Sequence, residues 1–159
     1  MIDDKVADYV QDVLAESDET VIIGRDNFIQ DNYSTDRIYT DSLAPRQNLG
    51  SSEVFDSVAE NMKYKTTYKQ IFTVDFVGPN AETNANNFIN LQSSERGVLS
   101  RETNQFNVLL GNNLTNIKDQ KGNEYYNRYQ LEIMVIFTEE TQIDVPRFDE
   151  AQYVLTVDL

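Results

Sequence analysis

The stretch from Thr66 to Phe88, TTYKQIFTVDFVGPNAETNANNF, decides the fold. Tyr68, Phe72, Val74 and Phe76 share one side of a period-two ribbon, the pattern of a strand with one buried face. Gly78-Pro79 ends that strand, and Ala81, Ala85, Phe88 and Ile89 follow at helical spacing. A strand, a tight corner and a helix in direct succession predict an α+β architecture.

Outward from this segment the same two periods recur. Ile2, Val6, Tyr9, Val10, Val13 and Leu14 form one apolar stripe, with Asp3 and Asp4 in the first turn where the helix dipole favours negative charge. Val21-Ile22-Ile23 reads as a short strand ended by Gly24, and Arg37–Thr40 as another, interrupted at Ala44-Pro45-Arg46 because proline cannot donate to a ladder. Asn48-Leu49-Gly50-Ser51-Ser52 has turn composition, so 36–47 and 53–64 are expected to form a hairpin. Val54, Val58, Met62, Tyr64 and Tyr68 then continue one parity. Two pictures fit: a long ribbon projecting from the domain, or a loop in place of its tip.

The helix over about 80–94 is expected to end at Ser93–Gly97, with Gly97 as its C-cap. Phe106, Val108 and Leu110 alternate as a strand closed by Gly111-Asn112-Asn113, Leu114–Lys118 fits a further short strand, and Asp119–Asn123 fits a turn. Tyr129, Leu131, Ile133, Val135 and Phe137 face one way while Gln130, Glu132 and Met134 face the other. The expectation is a mainly antiparallel sheet with two main helices on one face. It comprises a single domain over 1–159, with an extended C-terminal arm from about 141 that ends in a strand-like Tyr153–Leu159.

Composition narrows the chemistry. The chain has 159 residues, enough for a core without staples, and contains neither cysteine nor histidine. It therefore lacks a thiolate nucleophile, a thiolate metal site and the usual general base near neutral pH. Twenty-seven acidic residues against 13 basic ones give a net charge of -14, which opposes binding to phosphate backbones. Three uses remain for the acidity: solubility, docking onto a basic partner, or lining a passage along which nucleic acid slides without sticking. The start Met1-Ile2-Asp3-Asp4 lacks the basic and apolar regions of a signal peptide, so synthesis in the cytoplasm is expected. No run approaches the ~18 apolar residues of a membrane span.

Individual candidates for chemistry are weak. Asp31–Asp36 departs from the calcium-loop pattern at Tyr33 and Asp36 and reads as a solvated turn. Glu139-Glu140 and Asp149-Glu150 are adjacent pairs at expected strand ends, where neighbouring side chains point to opposite faces, so they suit surface charge better than a shared-proton dyad. The six glycines never cluster into a phosphate-cradling loop. Tyr64, Tyr68, Tyr125, Tyr126 and Tyr129 suit an interface or half-buried sheet better than base stacking, given the missing cations.

In order along the chain, Val21–Phe28 (VIIGRDNF) after an amphipathic helix, Ala44-Pro45, and Tyr68–Gly78 (YKQIFTVDFVG) before an Asn- and Ala-rich helix resemble the tail terminators of contractile-tailed phages. The likeness covers roughly residues 1–140. It implies a virion protein of the tail and neck, assembled in the host cytoplasm, without enzymatic activity or cofactor. It further implies a homo-oligomeric ring, a hexamer, that caps the tail tube, contacts tube, sheath and head-completion proteins, and lets DNA pass through its channel. A ring needs a heterologous surface repeated around a closed axis. The expected contributors are Pro45, Arg46, Asn48 and Leu49 on the hairpin and Tyr153, Leu155 and Val157 on the terminal strand. The competing reading is an acidic, monomeric inhibitor or immunity-type protein that blocks a basic enzyme.

Overall fold

A computed structural model describes residues 1–16, 20–24, 35–56, 61–117, 119–121 and 124–144. Helix α1 (Ile2–Leu14) buries Val6, Tyr9, Val10 and Val13 of the expected stripe with Ala7 beside them, keeps Ile2 and Leu14 half-buried against the core, and ends where Ala15 turns left-handed at φ 59°. Two short strands follow, β1 (Val21–Ile23) and β2 (Arg37–Ser42), paired in parallel. Strand β4 (Asn61–Val77) is the spine of the sheet, and β8 (Arg128–Asp144) lies antiparallel to it from Val77↔Arg128 to Asn61↔Asp144. Beyond β8 comes β5 (Phe106–Asn116), so the main path is β1-β2-β4-β8-β5.

The other edge of β4 is shared. β2 covers Phe72–Val77, and β3 (Gln47–Asp56) covers Asn61–Lys69. Ala44-Pro45 breaks the chain between them, while the Leu43 N–H still reaches the Ile71 carbonyl at 2.9 Å. This corrects the expected hairpin. Residues 48–52 lie inside β3, and the ladder closes at Asp56↔Asn61. Their turn-forming chemistry is absorbed as a bulge between Asn48 and Gly50, where Asn48 Oδ1 accepts from the Gly50 N–H at 2.7 Å. Val54 consequently pairs with Lys63 and leaves the parity of Met62 and Tyr64; Val58 lies outside the described residues.

The expected end of the second helix is also corrected. α2 (Ala81–Leu91) stops earlier, and a third helix, α3 (Glu95–Asn104), starts at once. Ser94 caps α3 by accepting from the Gly97 N–H at 3.3 Å, so Gly97 sits in a first turn and is not a C-cap. It is glycine because a Cβ there would lie 2.4 Å from the Gln92 carbonyl oxygen. α3 buries only Gly97 and Ser100, too little to write a helical apolar period. Likewise Gly111–Asn113 does not close β5; the strand shifts register between Leu110 and Leu114 and continues to Asn116. The expected turn near Asp119–Asn123 falls within a small hairpin of β6 (Asp119–Lys121) and β7 (Glu124–Tyr126).

One core joins these elements. Phe72, Val74 and Phe76 of β4 and Leu131, Ile133, Val135 and Phe137 of β8 meet Val6, Tyr9, Val10 and Val13 of α1 and Ala81, Ala85 and Phe88 of α2. Tyr9 sits edge-on to both Phe88 and Phe106, with ring centroids 5.9 and 5.6 Å apart. Burial pushes its hydroxyl above the ordinary tyrosine pKa, partly offset by the Arg101 guanidinium. At the corner, Gly78 adopts φ +121° and a Cβ would lie 2.6–2.9 Å from Asp36 and the Thr35 carbonyl. Asp36 there accepts from the Asn80 backbone N–H (2.8 Å) and side-chain amide (2.7 Å), satisfying the start of α2. That is the role of Asp36 in the calcium-like stretch, whose residues 31–34 lie outside the described set.

Candidate functional site

β4 does two different things along its length. Phe72–Val77 are all buried, whereas Asn61–Ile71 carry only one buried residue, Asn61. The latter span is about 35 Å at ~3.3 Å per residue. Flanked by β3 and by β8 beyond Phe137, it forms a three-stranded ribbon that runs out past the core.

Alternation gives the ribbon two unlike faces. Tyr68, Thr66, Tyr64 and Met62 continue the parity of the core residues Phe72, Val74 and Phe76. Register places Phe137, Glu139, Thr141 and Ile143 beside them. Near the far end, Phe55, Met62 and Ile143 stand in one cross-strand row; Phe55 is 54% and Ile143 52% exposed. The opposite face is charged. Lys63 Nζ lies 2.7 Å from Asp56, and Lys65 Nζ 3.4 Å from Glu140. Hydrogen bonding and charge from Asp56 hold Lys63 above its ordinary pKa. Glu140 is held below the ordinary carboxylate value by hydrogen bonds from Gln142 and then from Lys65. Both pairs are partly exposed, and ion pairs so placed add little to the stability of the fold.

The ribbon's root gathers the hairpin residues expected from sequence. The Arg46 guanidinium lies 4.5 Å over the Tyr68 ring and 2.7 Å from Glu139 Oε1, and Tyr68 in turn meets Phe137 at 5.7 Å. Arg46 is thus held by one aromatic face and one carboxylate, two weak contacts that reinforce one another. Pro45 and Leu49 are exposed beside it, Leu49 on the bulge, whereas the Asn48 carboxamide is engaged by Gly50. Glu139 and Glu140 sit within β8, not at its end, and β8 continues through residues 141–144. Tyr153, Leu155 and Val157 lie outside the described residues.

Sequence reasoning missed the far row of Phe55, Met62 and Ile143. Its signal was Val54-Phe55 in an otherwise polar run, but recognising the row requires the register of three strands. Among the described residues no group of three acidic side chains is arranged to hold a metal ion. A surface groove of about 480 Å³ lies where β5 begins and the ribbon departs, lined by Val98, Arg101, Phe106, Phe137 and Thr138 among others. It is wide open to solvent. Surface shape and charge, with apolar residues displayed on a three-stranded extension, suit binding to another protein.

No curated protein matches the chain in sequence. The phage neck terminator protein family matches it over residues 2–158, nearly its whole length. The amphipathic α1, the β4–Gly78-Pro79–α2 unit and the ribbon between them thus belong to a structural component of the phage tail and neck: this chain is a member of the phage neck terminator family.

Proposed function

We propose that this protein closes into a homo-oligomeric ring, a hexamer, that caps the tail tube of a contractile phage and joins it to the head-completion proteins. The observation that carries this reading is the ribbon. A three-stranded extension with an exposed apolar row at its far end contributes little to its own core and is built to meet a neighbour. Family membership supplies the setting, the junction of tail and head. The root residues Pro45, Arg46, Asn48 and Leu49 and the terminal Tyr153, Leu155 and Val157 complete the proposed contacts with adjacent copies, tube and sheath.

The acid excess fits a channel. A net charge of -14 per chain repels phosphate weakly over a wide surface, so a duplex passes without being held. No base-reading contact is part of this function, nor is any turnover of substrate.

Size-exclusion chromatography with light scattering, on the protein alone and mixed with purified tail tubes, tests the ring. The expected result is a closed oligomer in at least one of the two conditions, seen as a ring at the tube end by negative-stain microscopy. Infection with phage lacking this gene should leave heads and tails unjoined. A chain that stays monomeric in both conditions, together with joined virions in its absence, would sink the reading.

A further inference from the structure

Among the described residues the ribbon has two open edges, and they are complementary in direction. Among the described residues no strand pairs with the outer edge of β3 (Gln47–Asp56). None pairs with β8 beyond Phe137, because β5 starts at Phe106↔Phe137. Free strand edges present rows of unpaired N–H and C=O groups, and proteins that keep them free protect them with lysine, proline or brevity. β3 carries a bulge between Asn48 and Gly50, and both edges bear acidic side chains, but neither has the lysine or proline that blocks pairing most directly. β3 reads QNLGSSEVFD and residues 138–144 of β8 read TEETQID, with no lysine, arginine or proline in either.

We infer that the β3 edge of one copy pairs with the Thr138–Asp144 edge of the next, so that the ribbons of the ring join into one continuous sheet. This rests on the ring reading above and names its contact. β3 and β8 both run antiparallel to β4 and so run parallel to each other. Copies related by rotation about an axis along the ribbons keep that direction and present β3 of one to β8 of the next. The contact is heterologous and, once the ring closes, leaves neither edge of the ribbon free.

Register gives the pairing side-chain content. Rotation keeps all copies at one height, so residues on the same cross-strand row become neighbours across the junction. Ile143 of one copy meets Phe55 of the next, and the row Phe55–Met62–Ile143 becomes an unbroken apolar girdle. Leu49, on the bulge and 50% exposed, falls between the levels of Phe137 and Thr138. There the neighbour carries the groove lined by Val98 and Phe106.

The absence of cysteine makes the test clean. Ser52→Cys and Glu140→Cys place thiols on exposed positions of one row and one face, at opposite edges. After assembly and treatment with a short bismaleimide, S52C alone and E140C alone should remain uncrosslinked. An equimolar mixture should give a covalent species of doubled mass and nothing larger. Val54→Cys with Gln142→Cys, again mixed as single variants so that no chain can bridge itself, repeats the measurement one row further out. S52C crosslinking to itself would mean two-fold β3–β3 pairing and would overturn the inference. Assembled rings that crosslink at neither row would overturn it too while leaving the ring reading intact; a chain that never assembles sinks both.

Discussion

The two halves of β4 obey opposite rules. From Phe72 to Val77 both faces are covered: Phe72, Val74 and Phe76 enter the core, while Thr73 and Asp75 are buried on the other side, Asp75 facing Arg128 at 3.2 Å. From Asn61 to Ile71 the same strand, with the same ladder to β8, is mostly half-exposed, and of its apolar side chains only Tyr68 packs against the core cluster of the described residues. Hydrogen bonding is continuous along both halves, so it does not distinguish them. What differs is side-chain burial, and burial separates residues that hold the fold from residues free to serve a partner.

Substitutions sharpen that contrast. The largest effect is expected at the core end: Phe88→Ala removes a fully buried ring that touches Tyr9 and Phe76 and should cost about 3–5 kcal/mol in denaturant unfolding. A loss under about 1 kcal/mol would break the claim that this half carries stability. Next comes the corner, where Gly78→Ala forces a left-handed alanine against Asp36 and should cost roughly 1–3 kcal/mol. Asp36→Ala removes two acceptors at the start of α2, a change of about 0.5–2 kcal/mol by analogy with lost caps.

At the ribbon end the expected outcome inverts. Phe55→Ala should move unfolding stability by no more than about 0.5 kcal/mol, because the side chain is already exposed. It should nonetheless weaken self-association measured by light scattering. Equal loss of stability at Phe55 and Phe88 would erase the distinction between the halves.

The smallest effect is electrostatic. Glu140 ionises below the ordinary carboxylate value of 4.5, so its pairing contributes above that value and fades as pH falls through the depressed one. Its titration by carbon NMR should shift upward in Gln142→Ala and less in Lys65→Met, the order of the two influences on it.

Particular residues explain how far sequence reasoning reached. Phe72, Val74, Phe76 and the alternation from Leu131 to Phe137 entered the core as expected because a two-residue period with one apolar face has few other solutions. The α1 stripe did the same at 3.6 residues per turn. Gly97 misled because glycine after a helix is usually a C-cap, yet here it is demanded by the Gln92 carbonyl of the preceding turn. Asn48–Ser52 misled for a related reason: the residues that make turns also make bulges, and the choice depends on the partner strand. Arg46, Asn48 and Leu49 are close together in the chain, but the contacts of Arg46 with Tyr68 and Glu139 join residues far apart in it and are invisible to local reading.

By itself the amino-acid sequence determined the α+β class, the buried faces of α1, β4 and β8, and the lack of histidine and cysteine. Each of these is local, either a period along one segment or a count. Only the tertiary structure decided that β2 and β3 share one edge of β4, that Phe55, Met62 and Ile143 form one row, and that among the described residues no strand pairs with either edge of the ribbon. Those depend on register between distant strands. Slipping any one of them by a single residue would turn its apolar side chains to the opposite face, so packing of the whole sheet settles what no segment specifies alone.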